Sequence, residues 1–247
     1  PGMALARPSF GKEGDLRGTE NIGAGDIRPP ALRIAQSGTP EAKASEPRYV
    51  EGLREGLMFN SLTKEIYGKG PLPIVVINSL GHRHIEFAPM SEGGGVVDFN
   101  VPDGDPRTEF TTIERDGKQV RQKPRATKFR DYLVLVLLED GRRILSTLSF
   151  KSTQLKKAED MNTIIKQAKL PSFALQFNVT PVPEKRGSYS FFGWRIDHTG
   201  FVGGNNPELA EEIYAEASAV YNSLAGKKVV VETEGTDEEK EDNPFDN

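Results

Sequence analysis

Two histidines, His82 and His84, stand two residues apart in the stretch GHRHIEF. On an extended backbone alternate side chains share a face, so with a carboxylate nearby this pair has the means to ligate a metal. The third histidine, His198, is far away in sequence. The plainer reading is a pair of surface or partly buried histidines flanking Arg83, and no metal is expected. The DGD at Asp103–Asp105 offers a weak cation contact, yet it lacks the spaced third acid and closing glutamate of a calcium loop. A Gly/Pro-rich turn describes it better. No phosphate-cradling Gly-x-x-x-x-Gly-Lys, nucleophile elbow or His-Glu-x-x-His is present. Cysteine is absent, which excludes disulfides, thiolate zinc sites, thiol nucleophiles and iron–sulfur clusters. No catalytic residue and no cofactor is expected, and the chain reads as non-enzymatic. A metal-dependent hydrolase built on His82 and His84 is kept as a third reading.

Binding chemistry is better represented. KQVRQKPRATKFR carries Lys118, Arg121, Lys123, Arg125, Lys128 and Arg130 within thirteen residues. Arg121, Lys123 and Arg125 share parity, so an extended backbone aims all three to one side. Arg142 and Arg143 sit at a facing turn, and Lys151 follows. From Gly117 to Lys157 there are eleven bases and three acids. Such a row can neutralise successive phosphates, releasing counterions and giving a salt-sensitive affinity. A solvated hairpin carries the same charge, so the run alone does not decide. Aromatic residues add to it. In SYSFFGWRID, Phe192, Trp194 and Ile196 point one way, toward a core. Tyr189, Phe191 and Arg195 point the other, with Gly193 clearing space between them. Two rings and a guanidinium on one face have the composition of a base-stacking platform. Phe129 and Tyr132 lie beside the basic row.

Elements must hold these groups. Ala31–Gln36, Gly56–Asn60, Pro71–Leu80 with its continuation to Met90, Ser172–Thr180 and Ser188–Asp197 read as strands by apolar alternation and β-branched content. Phe110–Arg121 reads as a hairpin turning at Asp116-Gly117, and Asp131–Ser149 as a second turning at Asp140-Gly141. Ser91–Arg107 reads as a long loop. A helix capped by Ser152 or Thr153 runs to Ala168 and stops at Pro171. Another spans Asn206–Leu224, with Asn206 as cap and Pro207 in its first turn. Lys227–Val231 is a last short strand. About eight to ten short strands with two helices inserted late predict a mainly β (α+β) fold: an OB-like antiparallel β-barrel with two helices and disordered termini.

Charge is segregated along the chain. Of 247 residues with net charge −4, Glu232–Asn247 hold eight acids and one base, so this tail carries −7 and residues 1–231 carry +3. The tail is too poor in apolar residues to offset its ordering entropy and is expected to be disordered. Phe245, beside Pro244, then reads as an anchor, flanked by Asp242 and Asp246, for a protein partner. The same tail can lie in the body's basic groove as a phosphate mimic. Three units follow: a flexible arm over 1–30, with Pro1-Gly2 ahead of Met3 read as a tag remnant; a nucleic-acid-binding domain over 31–231; and the tail over 232–247. No membrane-length apolar run is present, and no secretory leader is expected.

In its tail DEEKEDNPFDN, and more loosely in GLMFNSLTKEIYG, LSFKSTQLKKAEDMNTIIKQA and SYSFFGWRI, the chain resembles the single-stranded DNA-binding proteins of tailed bacteriophages. Those pair an OB-type barrel with an acidic tail ending in or near an aromatic; here Phe245 is followed by Asp246-Asn247. The resemblance implies sequence-tolerant binding of single-stranded DNA in replication or recombination. It also implies partners drawn from replication or recombination proteins through the tail, and the bacterial host cytoplasm as location; the sequence is compatible with a homo-oligomer and does not disclose the oligomeric state. The runner-up is a virion or scaffold-type interaction protein that binds no nucleic acid.

Overall fold

The computed structural model describes residues 18, 21, 28–89, 95–115, 117–186, 189–224, 229 and 231, the side chains of 186 and 189 excepted. Its centre is β4, Leu72–Phe87, a strand of 16 residues. The first half is a β-branched run, and Ile74, Val75, Val76 and Ile77 are each at most 1% exposed. Ile74 and Val76 belong to one apolar cluster, Val75 and Ile77 to another, so both faces are covered. Double coverage explains why the run is continuously apolar rather than alternating. Past two register shifts against its neighbour, at Val76/Asn78 and Ser79/Gly81, the same strand turns polar. Such irregularities bend a strand and re-aim its side chains.

All pairing of named strands is antiparallel. The hairpin of β10 (Leu175–Arg186) and β11 (Tyr189–Phe201) flanks the start of β4. β5, Val96–Val101, flanks its end inside the expected Ser91–Arg107 loop. On the other side lie β8 (Ala126–Leu137) and β9 (Arg143–Lys151), giving the order β11-β10-β4-β8-β9 with β5 added on β4. β6 (Thr111–Arg115) and β7 (Lys118–Gln122) form a separate exposed ribbon. β1 (Leu32–Ile34), β2 (Met58–Asn60) and β3 (Ile66–Gly68) form a three-stranded sheet over Ala35, Leu53, Leu57 and Phe59.

The two helices enter late, as expected. α1, Leu155–Ala168, lays Ala158 and Met161 on the face holding Ile74, Val76 and Tyr132. α2, Pro207–Leu224, lays Ile213 and Ala217 on the face holding Val75 and Ile77. The result is a helix–sheet–helix stack. Asn206 Oδ1 accepts from Leu209 N–H at 3.1 Å, so the predicted cap is in place. The α1 entrance differs: Ser152–Gln154 form a 3-10 turn, and Gln154 stands at the cap position without a capping bond.

Strand pairing closes no barrel among the described residues. β1 lies between the two edges of the large sheet. Ala31 bridges Thr147 of β9, with Thr147 N–H donating to Pro30 O at 2.8 Å. At the other edge the Gln36 side chain donates to Phe192 O at 2.9 Å and accepts from Phe192 N–H at 2.8 Å. The last predicted strand, Lys227–Val231, and the tail with Asp242, Phe245 and Asp246 lie outside the described residues, save 229 and 231. So does most of the arm over 1–30.

Candidate nucleic-acid interface

Between β1, the ends of β4, β8 and β9, the Ser152–Gln154 turn and β11 lies a groove of about 390 Å³. Its floor is a row across three strands: Arg83 of β4 stands opposite Phe129 of β8, which stands opposite Lys151 of β9. Phe129 is 6% exposed. Arg83 Cζ lies 5.3 Å and Lys151 Nζ 5.7 Å from its ring centroid. The ring's negative faces thus hold two cations at the floor. Arg83 is aimed by Asp131, 3% exposed, which accepts from Arg83 Nε at 2.7 Å and from Ser149 Oγ at 2.6 Å. A carboxylate buried this deeply needs such partners, or its desolvation is uncompensated.

The walls are Leu32, Arg33, Ile34 and Gln36 on one side, and Ser190, Phe191, Phe192 and Trp194 on the other. α1 braces the β11 wall. Gln154 Oε1 accepts from Trp194 N–H at 2.9 Å, and its amide donates to Glu184 at 2.8 Å. Lys157 bridges Glu184 and the Trp194 carbonyl. Gly193 makes this fit: a Cβ there would sit 2.5 Å from both Gln154 Nε2 and Glu184 Oε1. Arg33, Arg83 and Lys151 line the groove, and among the described residues no acid does. Cations and rings on a lining whose neighbouring carboxylate, Asp131, is buried behind Arg83 suit a phosphate–sugar chain whose bases can stack.

Of the residues expected to bind, Phe129, Lys151 and Phe191 line the groove. The others are dispersed, which corrects the picture of one continuous basic row. Lys118 and Arg121 are exposed on the β6–β7 ribbon, Arg121 stacked 3.9 Å above the Phe110 ring. The ribbon ends at Gln122, so Lys123 falls in a loop and the shared parity with Arg125 has no strand to act through. Arg125 pairs with Glu86 at 2.6 Å. Arg130 lies 3.9 Å from Glu159, and Lys128 stands opposite His84. Arg142 is held by Glu65 and Asp140, and Arg143 by Glu212 and Glu216. These acids raise both guanidinium pKa values. Arg125 precedes β8 and Arg142 follows it, so roughly 35–40 Å of extended chain separates them. Tyr132 is fully buried, its hydroxyl donating to Asn162 Oδ1 at 2.9 Å; it is core and presents no ring to a base. Arg195 is exposed and pairs with Asp197 at 3.0 Å. Tyr189 pairs with Arg186 through the backbone; its side chain lies outside the described residues.

Arg33, Arg83, Gln36 and Trp194 were not foreseen as groove residues. Parity carried the signal for the arginines. Arg33 sits between buried Leu32 and Ile34, and Arg83 between histidines whose rings share a face. Each must face the other way.

That histidine pair has gained an acid. His82 Nε2 lies 2.8 Å from Asp103 Oδ2, and His84 Nδ1 3.1 Å from Asp103 Oδ1. The hydrogen bond with His82 holds the Asp103 carboxyl below its ordinary pKa. Burial holds the His84 imidazole below its ordinary value, although Asp103 pulls upward.

No helix among the described residues is long and apolar enough to cross a membrane. No curated protein and no solved structure matches the chain. A family model described as Pam3 phage gp34-like protein matches residues 2–230.

Proposed function

The chain belongs to the Pam3 phage gp34-like protein family, and from that premise we propose that it is a non-enzymatic, sequence-tolerant single-stranded DNA-binding protein of phage-type replication or recombination. The observation that carries this reading is the groove: Arg33, Arg83 and Lys151 beside Phe191, Phe192 and Trp194, with no lining acid among the described residues. Cations there track phosphates and Phe191 stacks on a base. The sheet, curled so that Ala31 ahead of β1 meets β9 and Gln36 after it meets β11, is read as OB-like. The acidic tail over 232–247 competes with DNA for the cations. Once displaced, it offers Asp242, Phe245 and Asp246 to replication or recombination proteins. The bacterial host cytoplasm is the compartment this reading implies.

Trp194 is the chain's one tryptophan and, although its side chain faces the core, it borders the groove, so its fluorescence is the natural probe of occupancy. Titration with oligo(dT) at low ionic strength is expected to quench it saturably, with added salt reversing the effect. Unchanged fluorescence together with unchanged anisotropy of a labelled oligonucleotide would remove the proposal.

The second reading, a virion or scaffold-type interaction protein, is favoured by the β6–β7 ribbon. There Ile113 and Val120 face each other across the strands, each 42% exposed, with Phe110 at 55% nearby. Under that reading, substitutions on the ribbon abolish assembly and those in the groove do nothing.

A further inference from the structure

On the other face of β4 from Arg83, His82 and His84 project together, with ring centroids 5.7 Å apart. The turn after β5 brings Asp103 onto them. One ligand atom from each of the three residues lies within 4.8 Å of the others. Tetrahedral coordination by nitrogen and oxygen at ~2.1 Å places ligand atoms roughly 3.4 Å apart, so small side-chain rotations suffice. A second observation points the same way. His84 is 8% exposed, and its Nδ1 is buried without an aligned hydrogen bond, although Asp103 Oδ1 is 3.1 Å away. A buried nitrogen aimed at a carboxylate it does not properly bond requires an explanation, and a cation seated between the two supplies one.

We propose that His82, His84 and Asp103 form a binding site for a divalent first-row transition ion such as zinc, with water completing its coordination. Two imidazoles and one carboxylate select such an ion over magnesium or calcium, which take oxygen ligands. His82 enters through Nε2 and His84 through Nδ1. Lys128, whose charge reaches both His84 and Asp103, opposes the cation and keeps the affinity moderate. The bound ion would tie the Pro102–Asp105 turn to β4 directly behind Arg83. The site is separate from the groove and does not depend on what the groove binds.

The test is calorimetric titration of chelator-stripped, tag-free full chain with Zn²⁺, repeated with Co²⁺ while its visible absorption is followed. One equivalent is expected to bind. His82→Ala and Asp103→Asn should each weaken binding by about tenfold or more and abolish the Co²⁺ spectrum. His198→Ala should bind as the parent does. The side chains of His82 and Asp103 are 39% and 66% exposed, so both variants keep the fold; equal melting temperatures without metal verify this. No uptake by the parent chain overturns the proposal. So does equal uptake by the parent, His82→Ala and Asp103→Asn, the behaviour of ions held on the acidic tail.

Discussion

Phe191 is half-buried on the groove wall, whereas Tyr132, equally aromatic and nearer the basic row in sequence, is fully buried beneath α1. Phe191→Ala is expected to cost about 1–3 kcal/mol of oligo(dT) binding, with little change in melting temperature. Tyr132→Phe removes the bond to Asn162; it should cost about 1 kcal/mol of stability and leave binding as it was. Paired titrations and thermal melts separate the two roles. Asp105 makes a different prediction. Arg107 donates to it from Nε and Nη2 and also bonds Glu86 and Asp98. The Arg107 hydrogen bonds hold the Asp105 carboxyl at about 2, against 3.8 ordinarily. A folded-state value below the unfolded one gives stability that is fully present above 3.8 and lost as pH falls through about 2. Asp105→Asn should therefore flatten the decline of urea midpoints across that window, and an unaltered decline would show that Asp105 is not its source.

Elements were legible where the local pattern and the tertiary environment agree. Phe192, Trp194 and Ile196 do face the core, as alternation required. The Asp140-Gly141 turn joins β8 to β9, with Gly141 at φ +83 as such turns demand. β5 was hidden because in VVDFNV only Val101 is buried and the apolar Val97 and Phe99 are exposed; pairing with β4 makes it a strand, not burial. The α1 entrance was misread because Ser152, expected as a cap, sits at φ +52 in the turn ahead of the helix. Gly193 was foreseen to clear space, and what it clears space for is the Gln154–Glu184–Lys157 brace. Gly193→Ala should cost roughly 1–3 kcal/mol through forced displacement of that brace. Denaturant unfolding checks the cost, and a neutral result would mean that Gln154 is free to move aside.

Across the whole molecule, charge segregation was readable in the sequence but the position of the cations was not. Arg142 and Arg143 belong to the densest basic stretch; Asp140 answers Arg142 from two residues away, but the remaining counter-charges come from β3's approach and from α2, 77 and 69 or more residues away. Linear charge counts cannot see partners that distant. Conversely, Arg33, Arg83 and Lys151 are scattered in sequence and gathered by β1, β4 and β9. The candidate site was thus only partly legible: its ring chemistry and Lys151 were found, and its arginines were supplied by topology. Deleting residues 232–247 removes −7 from a chain whose remainder is net positive. Oligo(dT) affinity should rise at low salt and converge with that of the full chain as salt screens both. Equal low-salt affinities would dismiss competition by the tail.

One consequence of the Gln36 contact concerns neighbours rather than ligands. β11 is the outer strand of the large sheet, and a bare outer strand invites another chain to zip alongside it. The Gln36 amide occupies both backbone groups of Phe192, imitating a strand one residue long. At Phe192, a second copy of the protein therefore meets backbone groups that are already taken.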